Sequence, residues 1–91
     1  MDKVLEFSLL FDFYEELLTN RQREIFSLYF YEDFSLSEVS EKMGITRQAV
    51  NNQLIRTKSQ LQKYENILGM VTSYISISNS IQNLDSAISS K

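Results

Sequence analysis

The sequence predicts an all-α fold, and three observations carry the prediction. Apolar residues recur at helical spacing along almost the whole of a 91-residue chain. With no Pro and only two Gly, there is little punctuation for the many turns of a β fold. Thr19, Ser35 and Thr46 each stand just before an apolar-periodic run, where a helix N-cap belongs. Hydrophobic residues make up 43% of the composition, enough for one small core without disulfide staples.

The first helix is expected from about Lys3 to Leu18. Val4, Phe7, Phe11, Tyr14 and Leu18 form its apolar stripe, and Leu10 and Leu17 widen it. Thr19 and Gln22 make a capping-box pattern for the second helix, with Leu18 as the hydrophobic staple. Ile25, Phe26, Tyr29 and Phe30 form its buried side, and Tyr31–Phe34 breaks the period as a short connector. Ser35 and Glu38 repeat the capping box ahead of a short third helix that buries Leu36, Val39 and Met43. Gly44 stands where a left-handed residue ends a helix. Ile45 plugs the turn, and Thr46 caps a fourth helix that starts at Arg47 and buries Val50 and Leu54.

Val50, Leu54, Thr57, Leu61, Tyr64, Leu68, Val71 and Ile75 then keep a 4-3 alternation, which is heptad spacing. As one helix this stretch would be about 39 Å long at ~1.5 Å per residue, and Gly69 within it marks a break or kink equally well. The tail is Ser-rich. Ile75–Ser78 alternates like a strand, while Ile81, Leu84 and Ile88 resume helical spacing, so a last helix is expected. The chain divides into a domain over residues 1–64 and an extension over 65–91. Leu61, Tyr64, Leu68, Val71 and Ile75 are the expected dimer interface, the alternative being that the tail folds back on its own domain.

The third helix, the tight turn and the fourth helix form a helix-turn-helix pattern, in which the second helix reads base edges in the major groove. Ser40 supplies the small residue at the crossing. Arg47, Gln48, Asn51, Asn52 and Arg56 point away from the Val50–Leu54 stripe, with side chains that suit guanine and adenine. The formal net charge of −3 argues at first against a phosphate partner. Its distribution reverses that argument. Residues 1–41 carry a net −7, residues 42–64 a net +5 with no acid at all, and residues 65–91 a net −1. A positive block on the second helix of the motif is the footprint expected for nucleic-acid contact.

Without His or Cys there is no usual zinc site, no thiolate nucleophile and no Ser-His-Asp triad. No cofactor, metal or catalytic residue is expected, and the chain reads as non-enzymatic. The N-terminus lacks a secretory signal pattern and no apolar run reaches a membrane span, so a soluble cytoplasmic protein is expected. Tyr29, Phe30, Tyr31 and Phe34 are read as packing rather than as a stacking platform for single strands. Glu15, Glu16, Glu32, Asp33 and Glu41 are read as a solvated face.

Leu18–Leu28, Ser35–Ser40 and Gly44–Val50 resemble region 4 of a bacterial sigma factor. Leu10–Tyr14, Leu17–Thr19, Gln22-Arg23, Ser27–Tyr29, Asp33, Ser35-Leu36, Arg47–Val50, Arg56-Thr57 and Tyr64-Glu65 are similar to the YlxM-like family of small helix-turn-helix proteins. The resemblance covers about Leu9 to Leu68. It implies a sigma-region-4-like fold, a homodimer, a bacterial cytoplasmic setting, and a regulatory role connected with the signal recognition particle, whose GTPase gene the family generally accompanies. The sigma resemblance also implies phosphate contacts for Arg21, Gln22, Ser35 and Ser37 at two helix N-termini. It implies base contacts for Thr46, Arg47, Gln48, Asn51 and Asn52, and phosphate contacts for Arg56 and Lys58. DNA is expected ahead of RNA. The alternative is an adaptor that meets the signal recognition particle GTPase through the acidic first helices, at Glu15 and Glu16.

Overall fold

The computed structural model describes the backbone of residues 3–89 and the side chains of residues 3–81. These residues form five α-helices and one 3-10 turn, with no strand. Helix α1 spans Lys3–Tyr14, α2 Asn20–Phe30, α3 Leu36–Met43, α4 Arg47–Leu68 and α5 Met70–Ser89. The strand-like alternation at Ile75–Ser78 is helical in the structure, within α5.

Local sequence explains where each helix begins. Thr19 Oγ1 accepts from the Gln22 N–H at 3.1 Å and Gln22 Oε1 accepts from the Thr19 N–H at 3.0 Å. Ser35 and Glu38 make the same reciprocal pair ahead of α3. Thr46 caps α4 by accepting from the Ala49 N–H at 3.0 Å. Each of these bonds satisfies a donor that a helix N-terminus leaves unpaired. Gly44 ends α3 in the left-handed region at φ 68°, a conformation that costs a side-chain-bearing residue energy.

The first helix stops four residues earlier than its apolar spacing suggests. After Tyr14 the chain tightens into a 3-10 turn over Glu15–Leu17, then extends at Leu18. The tightening turns Leu17 out to solvent and drops Leu18 into the core. In α2, Leu28 takes the buried place expected of Tyr29, whose ring lies at the surface against the edge of Phe30.

Helix α4 is the spine and packs against α1, α2, α3 and α5. Val50, Leu54, Thr57 and Leu61 run down its buried side and meet Leu10, Phe11, Tyr14, Ile25, Phe26, Leu28 and Val39. Phe11, Phe26 and Phe30 stack in a row, with ring centroids 4.7 and 4.3 Å apart. Stacking of this kind adds to the burial of the rings themselves. No buried side-chain nitrogen or oxygen among the described residues lacks a hydrogen-bond partner.

The 4-3 stripe does not continue as one rod. Gly69 takes a left-handed conformation at φ 63° and ends α4, and α5 turns back to pack on α1 and α4. This corrects the expected dimer interface. Leu61 and Val71 are core residues. Tyr64 and Ile75 are half-buried against that core, Tyr64 with its ring 6.1 Å from Tyr14. Of the five, Leu68 alone is exposed. The stripe had two ways to leave water, and the bend at Gly69 lets the chain cover most of it by itself. A boundary after residue 64 would cut α4, and Val71 shares one core with α1 and α4.

One buttress fixes the bend. The Tyr14 hydroxyl donates to Glu65 Oε1 at 2.6 Å and accepts from the Met70 N–H at 3.0 Å. Glu65 Oε1 also accepts from the Val71 N–H, and Oε2 accepts from the Thr72 N–H and hydroxyl. The carboxylate therefore caps the first turn of α5, where the helix dipole favours negative charge.

Candidate nucleic-acid interface

The α3–turn–α4 unit presents one continuous outward face. Gln48, Asn51, Asn52 and Arg56 are exposed there, away from the buried Val50, Leu54, Thr57 and Leu61, while Arg47, seven residues before Leu54 and so on the buried side by helical phase, is exposed as the first residue of the helix. Thr46 is exposed at the start of the same helix, with its hydroxyl oxygen already engaged as the cap. The arrangement follows from the 100° step of an α-helix and from the burial of α4 along a single stripe. Lys42 lies in the last turn of α3, with its ammonium 5.6 Å from the Phe34 ring centroid.

The site also includes a residue that sequence reasoning passed over. Ile55 is 58% exposed, and helical spacing places it between Asn51, Asn52 and Ser59 on the outward face. An apolar side chain among amides can touch the 5-methyl group of thymine, which uracil lacks. Its signal was available: an Ile four positions after Asn51 lies off the buried stripe by spacing alone.

Four expected contacts take a different form. Gln22 is only 6% exposed, and its side chain is spent on the cap and on a bond from Nε2 to Gln60 Oε1 at 2.7 Å. It is a structural amide between α2 and α4, too buried to meet a phosphate. Lys58 turns towards α1 and α2, its ammonium 5.5 and 5.1 Å from the Phe7 and Phe30 ring centroids. It lies on one flank of α4 and Arg56 on the other, about 160° apart around the helix. Ser35 and Ser37 are exposed at the start of α3. That helix end already holds an anion, because Glu38 Oε1 accepts from the Ser35 N–H and hydrogen bonds from Ser35 hold the Glu38 carboxyl below its ordinary value. A phosphate at this end meets like charge. Arg21, at the start of α2, is exposed.

The geometry joins a short helix, a glycine turn and a long helix with a polar, basic outer face. A family of helix-turn-helix proteins described as YlxM / p13 like, UPF0122, matches this chain over residues 1–91. The chain belongs to that family. Among its bacterial relatives, a UPF0122 protein of Halalkalibacterium halodurans is 41% identical over 88 residues, covering 97% of this chain and 81% of the relative. One from Listeria innocua is 44% identical over 73 residues, covering 80% of this chain and 66% of the relative. One from a Thermoanaerobacter species is 42% identical over 87 residues, covering 96% and 74%. The chain thus spans about two thirds to four fifths of the length of these UPF0122 relatives. No helix among the described residues of this family member is long and apolar enough to cross a membrane.

Proposed function

We propose that this UPF0122 protein is a non-catalytic, cytoplasmic regulatory protein that binds nucleic acid, DNA ahead of RNA, through the α3–α4 helix-turn-helix. The observation that carries the reading is the exposed face of Gln48, Asn51, Asn52 and Arg56, with Arg47 exposed at the helix start, on a helix whose opposite side is rooted in the core. Arg and Asn or Gln are the side chains that grip guanine and adenine in the major groove. The stretch from Lys42 to Tyr64 contains five bases and no acid, so attraction to phosphate is confined to one side of the molecule. The proposal includes a homodimer, which would present two recognition helices to two half-sites. A connection with the signal recognition particle is supported by the family resemblance.

The test is a titration of labelled duplex DNA and of structured RNA at low and moderate salt, with Arg47→Ala beside the unsubstituted protein. Binding that weakens steeply with salt and with Arg47→Ala is expected. Negligible binding of both at low salt refutes the reading. A second reading, a protein adaptor for the signal recognition particle GTPase, draws support from the solvent-exposed acids Asp12, Glu16, Glu32 and Asp33. Capture of the GTPase that survives Glu16→Lys with Glu15→Lys counts against it.

A further inference from the structure

Helix α5 carries two apolar stripes, one covered by the body of the protein and the other half-open to solvent. Val71, Ile75 and the half-buried Ser78 face the body of the protein. Met70, Tyr74, Ile77 and Ile81 form the second stripe, centred about 100° around the helix from the first. These four are 44, 50, 61 and 53% exposed, with the Tyr74 ring centroid 5.6 Å from that of Phe13 on α1. Their spacing of four, three and four is that of a coiled-coil seam, and the sequence continues it at Leu84 and Ile88. We infer that this second stripe of α5, and not the 4-3 stripe running down α4, is the seam along which two copies of this chain pair.

Four observations select a second copy as the occupant. First, residues 70–84 contain no Asp, Glu, Lys or Arg, so the seam can meet itself without repulsion, as a two-fold interface requires. A partner of different sequence would be expected to leave a charge signature at the flanking positions, which here are Thr, Ser, Asn and Gln. Second, the stripe exposes roughly 400 Å² of apolar surface per copy, the size of patch that marks an interaction site. Doubled across a two-fold axis and joined by the flanking polar side chains, it approaches the ~1,200 Å² at which specific interfaces begin. Third, the molecule is elongated. The radius of gyration is 16.8 Å and the longest dimension 59 Å, against about 12 Å for a compact chain of this length. Fourth, an isolated helix of 20 residues, the length of α5, is marginal in water, and a partner along the second stripe would stabilise it.

This inference rests on the homodimer reading and assigns its surface. The absence of Cys makes cross-linking a clean test. Ile77→Cys places a thiol at the middle of the seam, and Asn79→Cys places one on the opposite side of α5. Under mild oxidation Ile77→Cys is expected to form a disulfide-linked dimer and Asn79→Cys is not. Light scattering should show a dimer for the unsubstituted protein at about 100 μM, a monomer for Ile77→Asp, and a dimer for Leu17→Asp, an exposed apolar site elsewhere. Circular dichroism checks that each variant keeps its fold. A monomeric unsubstituted protein overturns the homodimer reading and the seam together. A dimer that survives Ile77→Asp, or that cross-links as readily through Asn79→Cys, overturns the seam alone.

Discussion

Replacing Glu65 by Gln should loosen the joint between α4 and α5 in a way that depends on pH. Burial alone would raise the Glu65 pKa. The bonds from the Thr72 hydroxyl, Tyr14 and the Val71 and Thr72 amides outweigh it and bring the carboxyl from 4.5 down to about 2. That drop corresponds to a ceiling of about 3 kcal/mol between the two protonation states. The carboxylate is only half-buried, so solvent screening reduces the realised figure to about 1–2 kcal/mol. Gln keeps one acceptor oxygen and the shape, and loses the charge and the second acceptor. The sign follows from the direction of the shift. A folded-state pKa below the unfolded one adds stability that is complete above about pH 4.5 and is lost as pH falls towards 2. Urea unfolding of both proteins between pH 7 and pH 2 is the assay. The Glu65→Gln deficit should be about 1–2 kcal/mol at pH 7 and should shrink below pH 4.5. Hydrogen exchange should quicken at the Val71 and Thr72 amides. A deficit that is absent at pH 7, or that stays constant down to pH 2, refutes the role given to the carboxylate.

Leu61→Ala should cost about 3 kcal/mol in urea unfolding of the monomer, because Leu61 is wholly buried in its own core; a change confined to oligomeric state would contradict that placement. Thr46→Ala should remove the α4 cap at a cost of about 1 kcal/mol, read by thermal melting. Asp33 holds φ 57°, so Asp33→Gly should raise stability by about 0.5 kcal/mol, and a loss would show that its side chain matters more than its backbone. Arg47→Ala should weaken duplex DNA binding about tenfold and reduce the steepness of its salt dependence by about one unit.

Local features were legible in the sequence because their causes are local. Thr19 with Gln22 and Ser35 with Glu38 announce capping boxes within four residues, and the structure makes both. Gly44 announced the turn that sets α3 against α4. The path of the chain after Leu61 was harder to read. The 4-3 spacing holds whether the stripe covers itself or a partner, and the deciding contacts join residues far apart. Tyr14 reaches Glu65 across 51 positions, and no periodicity in either segment points to the other. The same limit applied to the candidate site. Gln22 looked available because its capping role was visible and its bond to Gln60, 38 positions away, was not. Lys58 counted as free charge until the rings of Phe7 and Phe30 came beneath it.

Helix α4, 22 residues long, has the proposed recognition face at one end and the Glu65 joint at the other. At about 33 Å it behaves as a lever whose fulcrum is the Val50–Leu61 stripe. A tilt of a few degrees at the joint displaces Arg47 by an ångström or so, comparable to the tolerance of a bidentate contact with a base. Under the proposed function, the bracing of α5 by Tyr14 and Glu65 would therefore work as an alignment stop for a reading head at the far end of the rod. The proposed function then implies that substitutions at this joint, well away from the proposed interface, change how well nucleic acid is read.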